Sequence, residues 1–214
     1  MKYNYLVVGS TGLVGSNLIK CLSNAGLKTI AISRRKLSNL PVNIDELLID
    51  FNHSLENISI PQIEHVCICL GTTIKIAGSK EEFKKVDLRY SLAVAQKAFE
   101  SGAKKLTLIS SVGANSNSKN FYLRVKGELE DAILELGFVS VNIFRPSFLI
   151  GTGGRHRAFS EKIFMRLAKV MDIFCIRSAR KYRSINSEIL AKKMVSTLNA
   201  DPGIHYYYFD DFIN

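Results

Sequence analysis

The sequence predicts an α/β fold: a doubly wound parallel sheet followed by a short C-terminal lobe. Short apolar segments alternate with amphipathic helical segments through residue 144, which is the pattern of repeated βαβ units. The apolar segments are continuous runs, as expected for strands that helices cover on both faces. A glycine-rich turn also joins the first strand to the first helix. A chain of 214 residues, 47% of them hydrophobic, suits one domain over residues 1–214.

The elements follow in order from these patterns. Strands are predicted at residues 4–8, 28–32, 46–49, 65–69, 105–109 and 139–144, and helices at residues 14–25, 83–101 and 122–135. The small C-terminal lobe is placed within residues 151–203. It contains an apolar helical stripe at 161–174 and a helix that Asn186 caps and that ends near Leu198. A last strand is predicted at residues 204–209.

The positive charge of the chain is concentrated near its C-terminal end. The net charge is +10, and residues 151–183 hold nine Lys/Arg side chains against two acidic ones. Such a block can meet nucleic acid, anionic lipid or an acidic protein, but a solvated basic face is the favoured interpretation. A protein partner and an oligomer stay open. The block matches no nucleic-acid recognition motif, so no specific nucleic-acid binding is expected.

The N-terminus and the cysteines bear on the compartment. The first residues lead directly into a strand without a secretory signal, and no apolar run reaches the ~20 residues that span a bilayer. Cys21, Cys67, Cys69 and Cys175 lack disulfide or metal spacing, so buried free thiols in a reducing compartment are predicted. The four histidines form no ligand spacing either. These features favour a cytoplasmic protein without a transmembrane segment or a metal.

The turn at residues 9–15 is the strongest functional motif. It follows the first strand directly and opens the first helix, whose free N–H groups can face a phosphate. Glycine leaves no Cβ in the way of a pyrophosphate, so this context predicts a dinucleotide-binding Rossmann fold. The candidate contacts are Gly9, Ser10, Thr11, Gly12, Leu13, Val14 and Gly15.

The end of the second strand indicates which dinucleotide binds. NAD binders usually place an acid there, but this chain has Arg34 and Arg35 between Ser33 and Lys36. A guanidinium can pair with the 2′-phosphate of NADP in fork geometry, so NADP(H) is predicted over NAD(H). Asp50, past the third strand, is placed to touch the adenine edge.

Tyr122 and Lys126 lie four residues apart on a predicted helix and therefore share a face. Such a pair is common by chance, and its context supplies the signal. The helix follows the fifth strand, which ends at Ser110 and Ser111, and a doubly wound sheet binds its ligands at the carboxyl ends of its strands.

With these motifs the chain resembles the short-chain dehydrogenase/reductase superfamily, in its atypical and extended branch. The resemblance covers nearly the whole chain. Within that branch the chain is similar to the Tat-interacting-protein-like oxidoreductases. The superfamily resemblance rests on the glycine turn, Asp50, Cys69-Leu70-Gly71-Thr72-Thr73, Val86-Asp87, Ser110-Ser111, Tyr122 with Lys126, and Arg145-Pro146. The similarity to the narrower group rests on Ser33-Arg34-Arg35-Lys36-Leu37, Cys69-Leu70-Gly71-Thr72-Thr73 and the segment from Tyr122 to Glu128.

The resemblance implies roles for individual residues. Tyr122 would protonate a carbonyl oxygen as NADPH delivers hydride, and Lys126 would favour the phenolate and bind the nicotinamide ribose. Ser111, or failing it Ser110, would hold the substrate carbonyl. The implied cofactor contacts beyond the turn are Leu70, Gly71, Thr72, Tyr122, Lys126 and Leu149, and Arg157 is a weaker candidate for the cofactor phosphates.

Two departures from the family pattern leave alternatives open. Asp87 stands where the family helix often carries Asn, and only 64 residues follow the sixth strand. The predicted function is therefore an NADP(H)-dependent oxidoreductase acting on a small carbonyl or alcohol. A catalytically quiet NADP(H) sensor that binds a protein partner is the alternative.

Overall fold

The computed structural model describes residues 3–51, 59–151 and 177–213. Within them, seven parallel strands form one sheet in the order β3-β2-β1-β4-β5-β6-β9. A separate pair of short parallel strands is formed by β7 and β8. The strands are β1 (Tyr5–Val8), β2 (Thr29–Ser33), β3 (Ile44–Leu48), β4 (His65–Ile68), β5 (Lys105–Ile109), β6 (Ser140–Phe144), β7 (Leu149–Ile150), β8 (Ile185–Asn186) and β9 (Gly203–Tyr207).

Helices connect these strands. The described α-helices are α1 (Leu13–Asn24), α2 (Ile74–Ala77), α3 (Lys80–Lys84), α4 (Ser91–Glu100), α5 (Phe121–Leu134), α6 (Ser187–Ser196) and α7 (Phe209–Ile213). A π-helical segment, Lys85–Tyr90, joins α3 directly to α4, and a 3-10 helix occupies Arg177–Tyr182. In the part of the chain described here, no helix combines the length and apolarity that crossing a membrane requires.

The core lies on both faces of the sheet. One buried cluster joins alternate strand residues such as Leu6 and Ile30 to Val94 of α4 and Leu129 of α5. A second buried cluster lies on the opposite face of the sheet. It joins strand residues such as Val7 and Ala31 to Leu18 of α1 and Leu190 of α6. Because successive strand side chains point to opposite faces, continuous apolar strands supply both clusters. This arrangement confirms the predicted doubly wound α/β fold.

Most predicted elements are present, with boundaries shifted by one or two residues. The helix predicted at 83–101 is instead α3, the π-helical segment and α4 in succession. The last strand ends at Tyr207 rather than residue 209, because the Tyr208 N–H donates to Asp211 Oδ2 (2.7 Å) and α7 begins there. Asn186 caps α6 as predicted, accepting the Glu188 N–H at 2.8 Å. The stripe at 161–174 and most of the basic block lie outside the described residues.

The cysteines differ partly from the prediction. Cys21, Cys67 and Cys69 are free thiols, but only Cys67 is fully buried. Burial raises the pKa of the Cys67 thiol to about 12, which keeps it protonated near neutral pH. Cys175 lies outside the described residues.

Candidate active site

The strand order reverses its direction between β1 and β4. The chain runs outward from β1 through β2 to β3 and then returns to place β4 on the other side of β1. Ligands of doubly wound sheets bind in the crevice at such a point, outside the carboxyl ends of the strands. Here the glycine turn follows β1 and the loop of residues 69–73 follows β4, so both predicted motifs face one crevice.

The glycines of the turn divide into two kinds. A Cβ built on Gly9, which has a φ of +82°, would lie 2.4 Å from Cys69 O, and one on Gly15 would lie 2.3 Å from Gly9 O. Gly9 is therefore required where the turn packs on the loop after β4, and Gly15 where α1 packs on its own turn. A Cβ on Gly12 meets only Gly9 O at 3.2 Å and Cys69 O at 4.0 Å, so the fold itself restricts Gly12 much less.

The N-terminus of α1 has the properties of an anion site. Gly12 is its N-cap residue, no side chain caps the helix, and no acidic residue lies in its first turn. The first N–H groups of a helix have no intrahelical partner, and the helix dipole favours negative charge there. The residues present therefore fit the pyrophosphate that the turn predicts. Ser10 is buried, and its hydroxyl donates to the Ile32 carbonyl oxygen (2.9 Å), so its side chain fixes the turn.

The two predicted arginines lie on an exposed loop directly after β2. Arg34, Arg35 and Lys36 are all exposed. Ser33, before them, and Leu37, after them, both contact Glu46 of β3. Glu46 was predicted only as part of a strand, without a functional role. Asp50 is exposed past β3, and beside it the buried Phe51 stacks on Tyr90 with ring centroids 5.0 Å apart.

Lys126 forms a buried ion pair with Asp87. Lys126 Nζ lies 2.7 Å from Asp87 Oδ1, and the two residues are 4% and 0% exposed. Burial alone would lower the pKa of Lys126, but the charge of Asp87, with smaller effects of Tyr122 and Glu130, holds it above its usual value. Lys126 is therefore a charged ammonium at neutral pH.

The same carboxylate fixes the loop after β4. Asp87 Oδ2 accepts the Thr72 N–H at 2.9 Å, and a Cβ on Gly71 would lie 3.7 Å from Asp87 Oδ1 and 3.9 Å from Lys126 Nζ. The π-helical segment inserts Asp87 between α5 and this loop, as such segments often do at functional sites. Leu70 is half-buried and packs against the core beside them.

The predicted catalytic residues lie on two parts of the chain, Tyr122 and Lys126 on α5 and the two serines directly after β5. Tyr122 is half-buried in the first turn of α5, and its ring packs on the buried Phe83 with centroids 5.5 Å apart. Ser110 and Ser111 follow β5 and are both buried. Ser111 Oγ has only a long contact to the Val112 carbonyl oxygen (3.4 Å), and Ser110 Oγ has no hydrogen-bond partner among the described residues.

The remaining predicted positions are less informative. Leu149 is half-buried in β7, which pairs with β8 at Ile185. Arg157 lies outside the described residues. Arg145, from the motif after β6, makes structural contacts. Its Nε and Nη2 donate to the two carboxylate oxygens of Glu130, and its Nη1 donates to the Tyr208 hydroxyl at 2.9 Å.

The chain belongs to the NAD dependent epimerase/dehydratase family, whose model matches residues 5–172. It is 31% identical over 183 residues to a protein from Lodderomyces elongisporus named "Protein FMP52, mitochondrial", covering 79% of this chain and 76% of the relative. Among solved structures, it resembles Thermus thermophilus UDP-glucose 4-epimerase in complex with NAD (TM-score 0.72, 15% identity, 98% of this chain and 81% of that one). It also resembles human epimerase family protein SDR39U1 with NADPH (TM-score 0.63, 16% identity, 96% and 74%). At these identities the two structures establish the fold alone.

The comparisons correct one prediction. The expected cytoplasmic location is wrong, because the curated yeast relatives are named as mitochondrial proteins. That expectation rested on the absence of a secretory signal, but import into mitochondria depends on a different kind of N-terminal segment. Membership of the epimerase/dehydratase family agrees with the broader resemblance to extended short-chain dehydrogenases/reductases.

Proposed function

We propose that this protein binds NADP(H) and transfers hydride between that cofactor and a small carbonyl or alcohol substrate. The observation that carries the proposal is the crevice between β1 and β4, where an uncapped helix N-terminus and the Lys126 ammonium lie beside the same pair of loops. The family match and the NADPH and NAD bound to the two structural neighbours support it.

In this proposal, different residues bind different parts of the cofactor. The N–H groups of the turn and of α1 would bind the pyrophosphate, and Arg34 with Arg35 would bind the 2′-phosphate. Asp50 would contact the adenine. Leu70, Gly71, Thr72 and Leu149 would line the nicotinamide half.

The chemistry would need few groups. When bound, the reduced nicotinamide supplies the hydride that reaches the carbonyl carbon. Tyr122 would donate its hydroxyl proton to the carbonyl oxygen, and the nearby Lys126 charge would stabilise the phenolate that remains. A serine hydroxyl from Ser111 or Ser110 would orient the carbonyl. Asp87 would hold the Lys126 side chain in place through the ion pair.

Finer assignments belong to the same proposal. The first is the likeness to the Tat-interacting-protein-like oxidoreductases. The basic block at 151–183 would serve an acidic protein partner.

The test is a titration followed by a turnover assay. We expect NADPH to bind more tightly than NADH, and an Arg34→Ala/Arg35→Ala variant to lose that difference. NADPH oxidation over a panel of carbonyl substrates should fall at least about 100-fold in Tyr122→Phe, the usual cost of losing a general acid. Tyr182→Phe, which changes an exposed tyrosine, is the matched control. If NADPH binds but no substrate turns over, the protein is better described as an NADP(H) sensor.

A further inference from the structure

The three cationic residues after β2 lie in a loop whose two ends hydrogen-bond to the same carboxylate oxygen. We call residues 34–36 the basic arch. Before it, Ser33 Oγ lies 2.8 Å from Glu46 Oε1 and 2.7 Å from the Arg35 carbonyl oxygen, so its single proton is shared between two acceptors. After it, the Leu37 N–H donates to the same Glu46 Oε1 at 2.7 Å.

The position of Glu46 on β3 explains how it reaches both ends of the arch. In the parallel register Glu46 lies opposite Ala31 of β2, two residues before Ser33, and so shares the sheet face of Ser33. The next residue back, Asp45, points to the other face, where its carboxylate accepts a hydrogen bond from the Tyr3 hydroxyl. Two adjacent acids on one strand therefore have separate surroundings.

The arrangement has a physical consequence for anion binding. Three adjacent cations repel one another, and a flexible loop carrying them would lose conformational entropy when it closed on a ligand. A carboxylate at both ends of the loop offsets part of the repulsion and orders the backbone before the ligand arrives. A guanidinium fork that is already oriented loses less conformational entropy when it pairs with a phosphate.

We infer that Glu46 is a positioning residue that sets the preference for a phosphate on the 2′-oxygen of the adenosine ribose. This inference rests on the proposed NADP(H) function. Glu46 itself does not contact the phosphate, which its negative charge would repel; it acts by holding the ends of the basic arch. The 2′-phosphate is the only part of the cofactor whose binding should depend on it.

The experiment compares ligands with and without that phosphate. NADPH, NADH, 2′,5′-ADP and 5′-AMP are titrated by calorimetry against wild type, Glu46→Ala, Glu46→Gln and the charge-matched control Asp45→Asn. We expect Glu46→Ala to weaken NADPH and 2′,5′-ADP by at least about tenfold, the effect of losing hydrogen bonds to a charged group. NADH and 5′-AMP should change by less than about twofold. Glu46→Gln keeps the accepting oxygen and should recover most of the preference, and Asp45→Asn should match wild type.

Other outcomes separate this inference from the proposed function. Equal losses for all four ligands in Glu46→Ala, with a lowered melting temperature, would assign Glu46 a structural role and overturn the inference. Tighter NADPH binding in both Glu46 variants would show that the carboxylate opposes the phosphate, and would also overturn it. If wild type itself binds NADPH and NADH equally, the NADP(H) preference fails first, and the inference fails with it.

Discussion

The ammonium of Lys126 and the carboxylate of Asp87 form an ion pair of 2.7 Å inside the protein, between α5 and the π-helical segment. Neither residue has appreciable contact with solvent. Burying a charge costs free energy unless an opposite charge lies beside it, so each residue lowers the cost of burying the other. The pair also connects the proposed catalytic helix to the loop at Thr72, because Asp87 bonds to both.

Breaking this pair from one side should be strongly destabilising. Asp87→Ala leaves the Lys126 ammonium buried without its counter-charge, and we expect the free energy of unfolding to fall by about 3 kcal/mol. The double variant Asp87→Leu/Lys126→Met removes both charges and should recover most of that loss. Urea denaturation at pH 7 measures both effects. A double variant as unstable as Asp87→Ala would mean that packing, and not the unpaired charge, causes the loss.

The sequence predicted the sheet well because buried parallel strands have a simple pattern. Continuous apolar runs such as Tyr5–Val8 can form little else when helical segments lie between them. The π-helical segment was missed because local periodicity over six residues does not distinguish it from an α-helix. The ion pair that this segment makes, between Asp87 and Lys126, joins residues 39 positions apart in the sequence, which local periodicity does not reveal. Glu46 was missed for a similar reason: its partners Ser33 and Leu37 become neighbours only when β2 and β3 pair.

The turn glycines should separate folding from cofactor binding. Gly15→Ala places a Cβ against the Gly9 backbone and should lower the free energy of unfolding by at least ~2 kcal/mol. Gly12→Ala and Gly12→Val should cost less stability but weaken NADPH by at least about tenfold, or 1.4 kcal/mol, because the added methyl groups occupy space the pyrophosphate needs. Thermal unfolding and calorimetric titration are run on the same samples. Undiminished NADPH binding by Gly12→Val would make the turn a structural feature only.

His65 should make the protein sensitive to acid. Burial, with a smaller effect of Lys105, lowers the pKa of its imidazole to about 3, and its Nε2 pairs with Thr107 Oγ1 at 2.8 Å. The unfolded chain binds the proton near pH 6.5, so the stabilisation is complete above that pH and is lost as the pH falls towards 3. Between pH 7 and pH 5 this group should cost about 2 kcal/mol of unfolding free energy.

Variants of the same pair test the origin of that slope. His65→Gln has no titrating ring and should flatten the loss of stability between pH 7 and pH 5 in denaturant titrations. Thr107→Val removes the hydrogen-bond partner but keeps the buried imidazole, so it should be less stable at every pH and retain the slope. An unchanged slope in His65→Gln would assign the acid sensitivity to other groups.

The two serines at the end of β5 should differ in their effect on turnover. The resemblance assigns the carbonyl contact to Ser111, but it is Ser110 whose buried hydroxyl lacks a partner among the described residues. A buried hydroxyl without a hydrogen bond is costly, and a ligand oxygen would relieve that cost. Loss of one such donor to a reacting oxygen typically lowers kcat by at least about 100-fold.

Ser110→Ala and Ser111→Ala are therefore compared for kcat, NADPH affinity and melting temperature. If Ser111 holds the carbonyl, only Ser111→Ala should lose turnover, while Ser110→Ala should keep it and gain stability by removing an unpaired polar group. If the losses are reversed, Ser110 holds the carbonyl and the family-based assignment is displaced by one residue. Full turnover in both single variants would remove the serines from the proposed mechanism.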